Sequence, residues 1–260
     1  MSLDSMKEIF DRMEQEGKPF WEIVLEADME DRQVTRNQSM AKMLLTWQAM
    51  EDAADNYTGR RRSVSGLVGG DGMKMRQYCF RGEAMSGGYV SEVITEALSM
   101  AESNACMCRI VAAPTAGACG VMPAVLLPLC KYEELSQHQI LEALYVASGI
   151  GAIIAHRACI AGASGGCQAE IGTASAMAAG ALVALRGGTG EQIGHAVAMA
   201  LKNLMGLICD PVAGLVEVPC VKRNVIGAVN AVSVADMAMA GITSRIPVDE
   251  VIDAMGEVGR

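Results

Sequence analysis

The chain has 260 residues, of which 51% are hydrophobic, and a formal net charge of −9. That is enough apolar material for one sizeable buried core, and the charge excludes nucleic acid, since the one basic cluster, Arg60-Arg61-Arg62, is too short to offset it. Aromatic residues are only 4% while Ala, Gly and Met abound, a composition that suits closely approaching helices better than a sheet, so an all-α fold is predicted.

In chain order, Met6, Ile9, Phe10 and Met13 follow the spacing of an amphipathic helix, and a second helical pattern runs over about 35–57 before Gly59. Residues 1–60 are read as a peripheral helical arm. From 62 to 88 the text turns to Ser, Gly and basic residues, including Ser65-Gly66-Leu67-Val68-Gly69-Gly70-Asp71-Gly72, which predicts one long loop with a binding role. A helix over 89–112 is stopped by Pro114, whose ring pushes the preceding residue out of the α region, and 113–117 forms a tight loop. Residues 110–130 form the longest uncharged run, long enough to span a bilayer, but Pro114, Gly117, Gly120, Pro123 and Pro128 interrupt it. It reads as buried loop and helix, with no membrane partner.

Ser136 with Gln139 and Thr189 with Gln192 match the capping box and start two helices. The first is apolar almost all round from 143 to 155 and should be central. The second places Ile193, Ala196, Val197, Ala200, Leu201 and Leu204 on one stripe. Between them, 168–185 is rich in Ala and Gly, as a helix surrounded by others requires. No linker separates two halves, so 61–260 is read as a helical catalytic core, one domain with the arm.

Nine cysteines in a chain that opens on a charged segment without an apolar signal region read as reduced thiols or metal ligands of a cytoplasmic protein. No Cys-x-x-Cys pair, HExxH or EF-hand loop occurs, and Gly149-Ile150-Gly151 lies within a helix rather than after a strand, which discards a dinucleotide site. Three cysteines stand out by position. Cys167 follows Gly165-Gly166, Cys209 precedes Asp210-Pro211, and Cys220 follows Pro219, each at an irregular junction beside a helix where backbone donors are free. Three thiolates gathered there would suit a metal cluster; the alternative is that each is a small buried hydrophobe.

The segments that carry these cysteines resemble the core motifs of bacterial iron–sulfur L-serine dehydratases, alpha subunit, over nearly the whole chain. The matching residues are Ser65-Gly66-Leu67 with Gly69-Gly70, Asn104-Ala105 through Arg109 to Gly117, and Gly165-Gly166-Cys167-Gln168-Ala169-Glu170. Lys202-Asn203-Leu204 and the block from Cys209-Asp210-Pro211 to Lys222-Arg223-Asn224 complete the match. The resemblance implies a lyase that removes water from L-serine to give pyruvate and ammonia, serving serine catabolism and gluconeogenesis. It implies a 4Fe-4S cluster on Cys167, Cys209 and Cys220 with one iron open as a Lewis acid. It also implies a separate beta subunit or domain, an oligomeric enzyme, and a short segment that family members carry beyond Gly259-Arg260.

Ser65, Gly66, Thr115 and Gly117 lie in the two Gly-containing loops that resemble the family, and their backbone donors are the expected seat of the substrate carboxylate; tight turn geometry is the competing explanation. Cys79, Cys106, Cys108, Cys119, Cys130 and Cys159 are assigned to packing. His138, His156 and His195 each read as structural, which leaves the catalytic base unknown. Three alternatives stay open: an iron–sulfur cysteine desulfidase, a pyridoxal-phosphate dehydratase with Lys202 as its lysine, and a non-enzymatic helical scaffold.

Overall fold

The computed structural model describes residues 3–260. Among them it contains eleven α-helices, two short 3-10 turns and no strand, in agreement with the all-α expectation. The first three helices, α1 (Met6–Glu16), α2 (Phe20–Arg32) and α3 (Arg36–Asp55), contribute Ile9, Phe20, Ile23, Leu25, Trp47 and Met50 to the same hydrophobic cluster as the rest of the chain. Three helices start with complete capping boxes, at Thr35, Ser136 and Thr189, so each has its first orphan donors satisfied locally. The Thr35 box escaped the sequence reading; the two others were expected.

Helices α7 (Gln137–Arg157), α8 (Gly162–Leu185), α9 (Gly190–Leu204) and α10 (Cys220–Met239) form the centre, with α8 packed against the other three. Small side chains make this possible. A Cβ added at Gly180 of α8 would lie 2.2 Å from Ile150 Cδ1 of α7, and one at Gly227 of α10 would lie 2.7 Å from Ile171 Cγ2 of α8. At these two crossings even a methyl group would force its neighbour to shift. Helix α7 is long and apolar enough to cross a membrane by composition, but most of it is buried inside the bundle, as a core helix is. The shell is completed by α5 (Gly88–Ala105), α6 (Val121–Tyr132) and α11 (Val248–Val258).

Two expectations need correction. The segment 62–88 is not one loop, because it contains α4 (Asp71–Phe80). Gly70, at φ 85°, turns the chain into this helix, and the N–H groups of Gly70 and Asp71 donate to the buried Glu102 carboxylate at 3.0 and 2.7 Å. That acceptor lies far along the sequence, so no local signal announced the helix. The helix expected over 89–112 ends at Ala105 instead. Met107 takes a left-handed φ of 58°, and Cys108 N–H donates to Ser103 O at 2.8 Å, closing the helix well before Pro114.

Candidate active site

The start of α8 is bent at Gly166, whose φ of 79° and ψ of 176° are far from helical. The bend frees the N–H of Gln168 to donate to Leu207 O at 3.0 Å, while Gln168 Oε1 accepts from Gly206 N–H at 2.7 Å. A Cβ at Gly166 would stand 2.6 Å from Leu207 O, so the loop 205–219 can lie against this turn only because residue 166 is glycine. Cys167, immediately after the bend, is buried; Cys220, the first residue of α10, is buried; Cys209, on the loop between them, is exposed.

Arg223, one turn into α10, ties the three segments together. Its Nη1 donates to Cys167 Sγ at 3.0 Å, to Ile208 O at 3.1 Å and to Asp210 Oδ1 at 2.5 Å, and its Nη2 reaches Asp210 Oδ2 at 3.2 Å. The residues flanking Cys209 are thereby held against the Cys167 thiol. Burial pushes both buried thiols up, Cys220 to about 11, while Arg223 opposes the rise at Cys167. The charge of Cys167 acts on Cys220, and that of Cys209 acts on Cys167, so the three sulfurs share one electrostatic neighbourhood. Among the described residues no three such side chains close on a single metal ion. A cluster of several irons takes its ligands from positions spread more widely than one ion does. Three thiols on one bend, one helix start and one connecting loop, with a guanidinium beside them, therefore fit such a group in donor chemistry.

The turn 115–118 meets this site from the other side. Thr115 Oγ1 donates a short hydrogen bond to Glu170 Oε1, on α8 one turn beyond Cys167. Gly117 packs so tightly on the same carboxylate that a Cβ there would fall 2.6 Å from either oxygen. Asn224 of α10, 1% exposed, fixes the register: its Nδ2 donates to Gly117 O at 2.8 Å and Cys220 O at 3.1 Å, and its Oδ1 accepts from Gly120 N–H at 2.9 Å. Thr115 and Gly117 are thus brought beside Cys167 and Cys220. The charge of Glu170 is felt at both of those thiols.

Ser65 and Gly66 occupy a different flank. Ser63 Oγ donates to the buried Glu217 at 2.8 Å, and Ser65 Oγ makes a short hydrogen bond to the same oxygen. This loop consequently braces the segment that leads into Cys220. Gly66, at φ 79°, has open space where a Cβ would stand. The nearby N–H groups of Gly70 and Asp71 are committed to Glu102, so they are not free for a ligand.

Glu170, Glu217, Arg223 and Asn224 were motif residues to which the sequence reading gave no role. Their signal was proximity to cysteine in the motif blocks, but only the fold reveals what each touches. The histidines stay outside: His138 Nε2 lies 3.2 Å from Glu142, His156 Nε2 3.7 Å from Asp4 and His195 Nε2 3.5 Å from Glu191. Lys202, the candidate Schiff-base lysine, is exposed, with its Nζ 3.8 Å from Met205 Sδ. Cys119, by contrast, is buried, and burial pushes its thiol up to about 12.

Residues 15–260 match the family model described as serine dehydratase alpha chain. The chain is 43% identical over 256 residues to the "Probable L-serine dehydratase, alpha chain" of Bacillus subtilis, covering 98% of this chain and 85% of that one. It is 40% identical over 258 residues to the "L-serine dehydratase, alpha chain" of Peptoniphilus asaccharolyticus, covering 99% and 88%. With the "L-serine dehydratase" of Streptomyces coelicolor it shares 38% identity over 226 residues, which are 84% of this chain but 49% of that longer one. On the match of the family model and of near-full-length relatives, this chain belongs to the serine dehydratase alpha chain family.

Proposed function

We propose that this chain is the alpha subunit of an L-serine dehydratase, an ammonia-lyase that removes water from L-serine and so yields pyruvate and ammonia. The observation that carries the reading is the convergence of Thr115, Gly117 and Glu170 on the Cys167–Cys220 pair, in a chain whose near-full-length relatives bear that name. Serine's hydroxide is a poor leaving group, and a 4Fe-4S cluster on Cys167, Cys209 and Cys220 would supply the Lewis acid that the elimination needs.

The remaining work falls to the chain's own residues. Glu170, which among the described residues makes no ion pair with a lysine or arginine and has Oε2 beside Gly117 and Gly162, receives the substrate ammonium. Thr115 holds that carboxylate in place, and the backbone N–H groups of the 115–117 turn receive the substrate carboxylate. Ser65 and Gly66 act one step removed, by bracing Glu217 and hence the approach to Cys220. The substrate loses its α-proton and hydroxide; the aminoacrylate released tautomerises to the imine and takes up water to give pyruvate and ammonia.

The alpha-chain relatives and the longer Streptomyces protein support a beta partner that completes the enzyme. All nine cysteines are unpaired, which supports a reducing, cytoplasmic setting. The test is anaerobic reconstitution of the chain with iron and sulfide, with and without a beta chain, followed by assay of L-serine against L-cysteine. Serine-dependent pyruvate formation in proportion to bound iron is expected. Preferential release of sulfide from cysteine would reassign the enzyme as a desulfidase.

A further inference from the structure

A cleft of about 830 Å³ opens between α3, α4, α5 and α6, away from the thiol site. Glu96, 7% exposed, lies on its wall. Its Oε1 accepts a hydrogen bond from Arg76 Nη2 at 3.1 Å, whereas its buried Oε2 has no partner. Buried polar atoms are nearly always paired, so a bare carboxylate oxygen on a cleft wall points to a donor supplied from outside the chain.

The donor's charge follows from the lining. Glu51, Asp55, Glu92 and Glu96 face only Arg76 and Lys131, and those two cations already pair with Glu96 and Glu92. A negative surplus remains across the lining, and burial pushes the Glu96 carboxyl above its ordinary range although Arg76 and Lys131 oppose the rise. The added cation is assigned to an organic molecule because aromatic side chains share the lining with the carboxylates. Its body is apolar. Trp47 is buried in the wall, while Phe80 and Tyr132, 93% and 51% exposed, present rings to the opening.

We propose that this cleft binds a small organic ammonium compound, its ammonium on Glu96 Oε2 and its apolar body between Trp47, Phe80 and Tyr132. The site is independent of the dehydratase reading, and its test needs no catalytic activity. In the full chain with Trp21→Phe, Trp47 remains as the sole tryptophan, and its fluorescence is followed during titration with 2-phenylethylamine and with 2-phenylethanol. The expected result is saturable binding of the amine and affinity for the alcohol weaker by about tenfold or more, because only the amine forms a charge-assisted bond. Glu96→Gln, with its fold checked by circular dichroism, should abolish the preference for amine over alcohol. Equal affinity of the parent for amine and alcohol overturns the proposal without recourse to any variant, as does undiminished amine preference in Glu96→Gln. Nα-acetyl-lysine methylamide serves as a third probe: tighter binding than that of 2-phenylethylamine would overturn the small-molecule assignment in favour of a lysine side chain of another protein.

Discussion

Glu170 and Glu96 are both carboxylates on helices, yet they differ in burial. Glu170 is partly exposed, and one oxygen is engaged by Thr115. In its proposed role as the seat of the substrate ammonium, it would be worth roughly 1.5–3 kcal/mol, the usual range for a hydrogen bond to a charged group, so Glu170→Gln should raise KM for L-serine by about 10- to 100-fold. Inhibition constants distinguish this role from a structural one: L-alanine should lose its advantage over propionate in the variant, and retention of that advantage would remove Glu170 from the ammonium site. Glu96 carries a stability cost. Its carboxyl is raised by burial, so the folded chain holds that proton more tightly than the unfolded chain does. Its contribution is therefore best below the ordinary carboxylate range and is lost as pH rises through the raised folded value. Glu96→Gln should melt a few degrees above the parent at pH 7, at roughly 2–4 °C per kcal/mol for a chain of this size. The gap should narrow at pH 4; a gap independent of pH would contradict the burial cause. At this scale the sequence made the cysteines and Thr115 visible through their motif positions, whereas Glu170 became a candidate only when the fold set it one turn from Cys167 and against Gly117.

Among the elements, the helices legible in advance were those with a local cause. Capping boxes at Ser136 and Thr189 gave α7 and α9 their starts, and the Ala- and Gly-rich text of 168–185 marked the buried length of α8. Helix α4 and the early end of α5 were hidden because their causes are distant or conformational: the Glu102 carboxylate in one case and the left-handed Met107 in the other. The bend at Gly166 is of the same kind, since the acceptor that exploits it is Leu207 O. Two glycine substitutions separate packing from site geometry. Gly180→Ala should cost stability, by about 1–3 kcal/mol as overpacking does, because its methyl group meets Ile150 Cδ1 at 2.2 Å. Denaturant unfolding measures this, and an unchanged midpoint would show that the α7–α8 contact can spread freely. Gly166→Ala, at a positive φ and 2.6 Å from Leu207 O, should displace the 205–219 loop. It is expected to lower iron loading after anaerobic reconstitution more than it lowers the melting temperature.

The whole molecule is a helical bundle in which Cys167, Cys209 and Cys220 stand on one bent helix, one exposed loop and one helix start. The exposed side of that loop, which includes Cys209, Val212 and Val216, is consistent with an alpha chain that works with a partner. The cysteine set is open to direct trial: Cys167→Ala, Cys209→Ala and Cys220→Ala should each prevent stable cluster assembly, and Cys130→Ala, in the remote cleft, should not. Iron per chain and visible absorbance report the outcome, and full loading of any of the three would remove that residue from the ligand set. The central claim, that Cys167, Cys209 and Cys220 would hold a cluster whose open iron supplies the Lewis acid for serine dehydration, would make oxygen sensitivity and catalysis two consequences of one coordination position. The most direct measurement exposes the complete reconstituted enzyme to air while electron paramagnetic resonance and pyruvate formation are followed together, with and without serine. Activity should fall in step with conversion of the 4Fe cluster to a 3Fe form, serine should slow the fall, and ferrous iron with reductant should restore it. Full turnover after complete removal of iron would contradict the account.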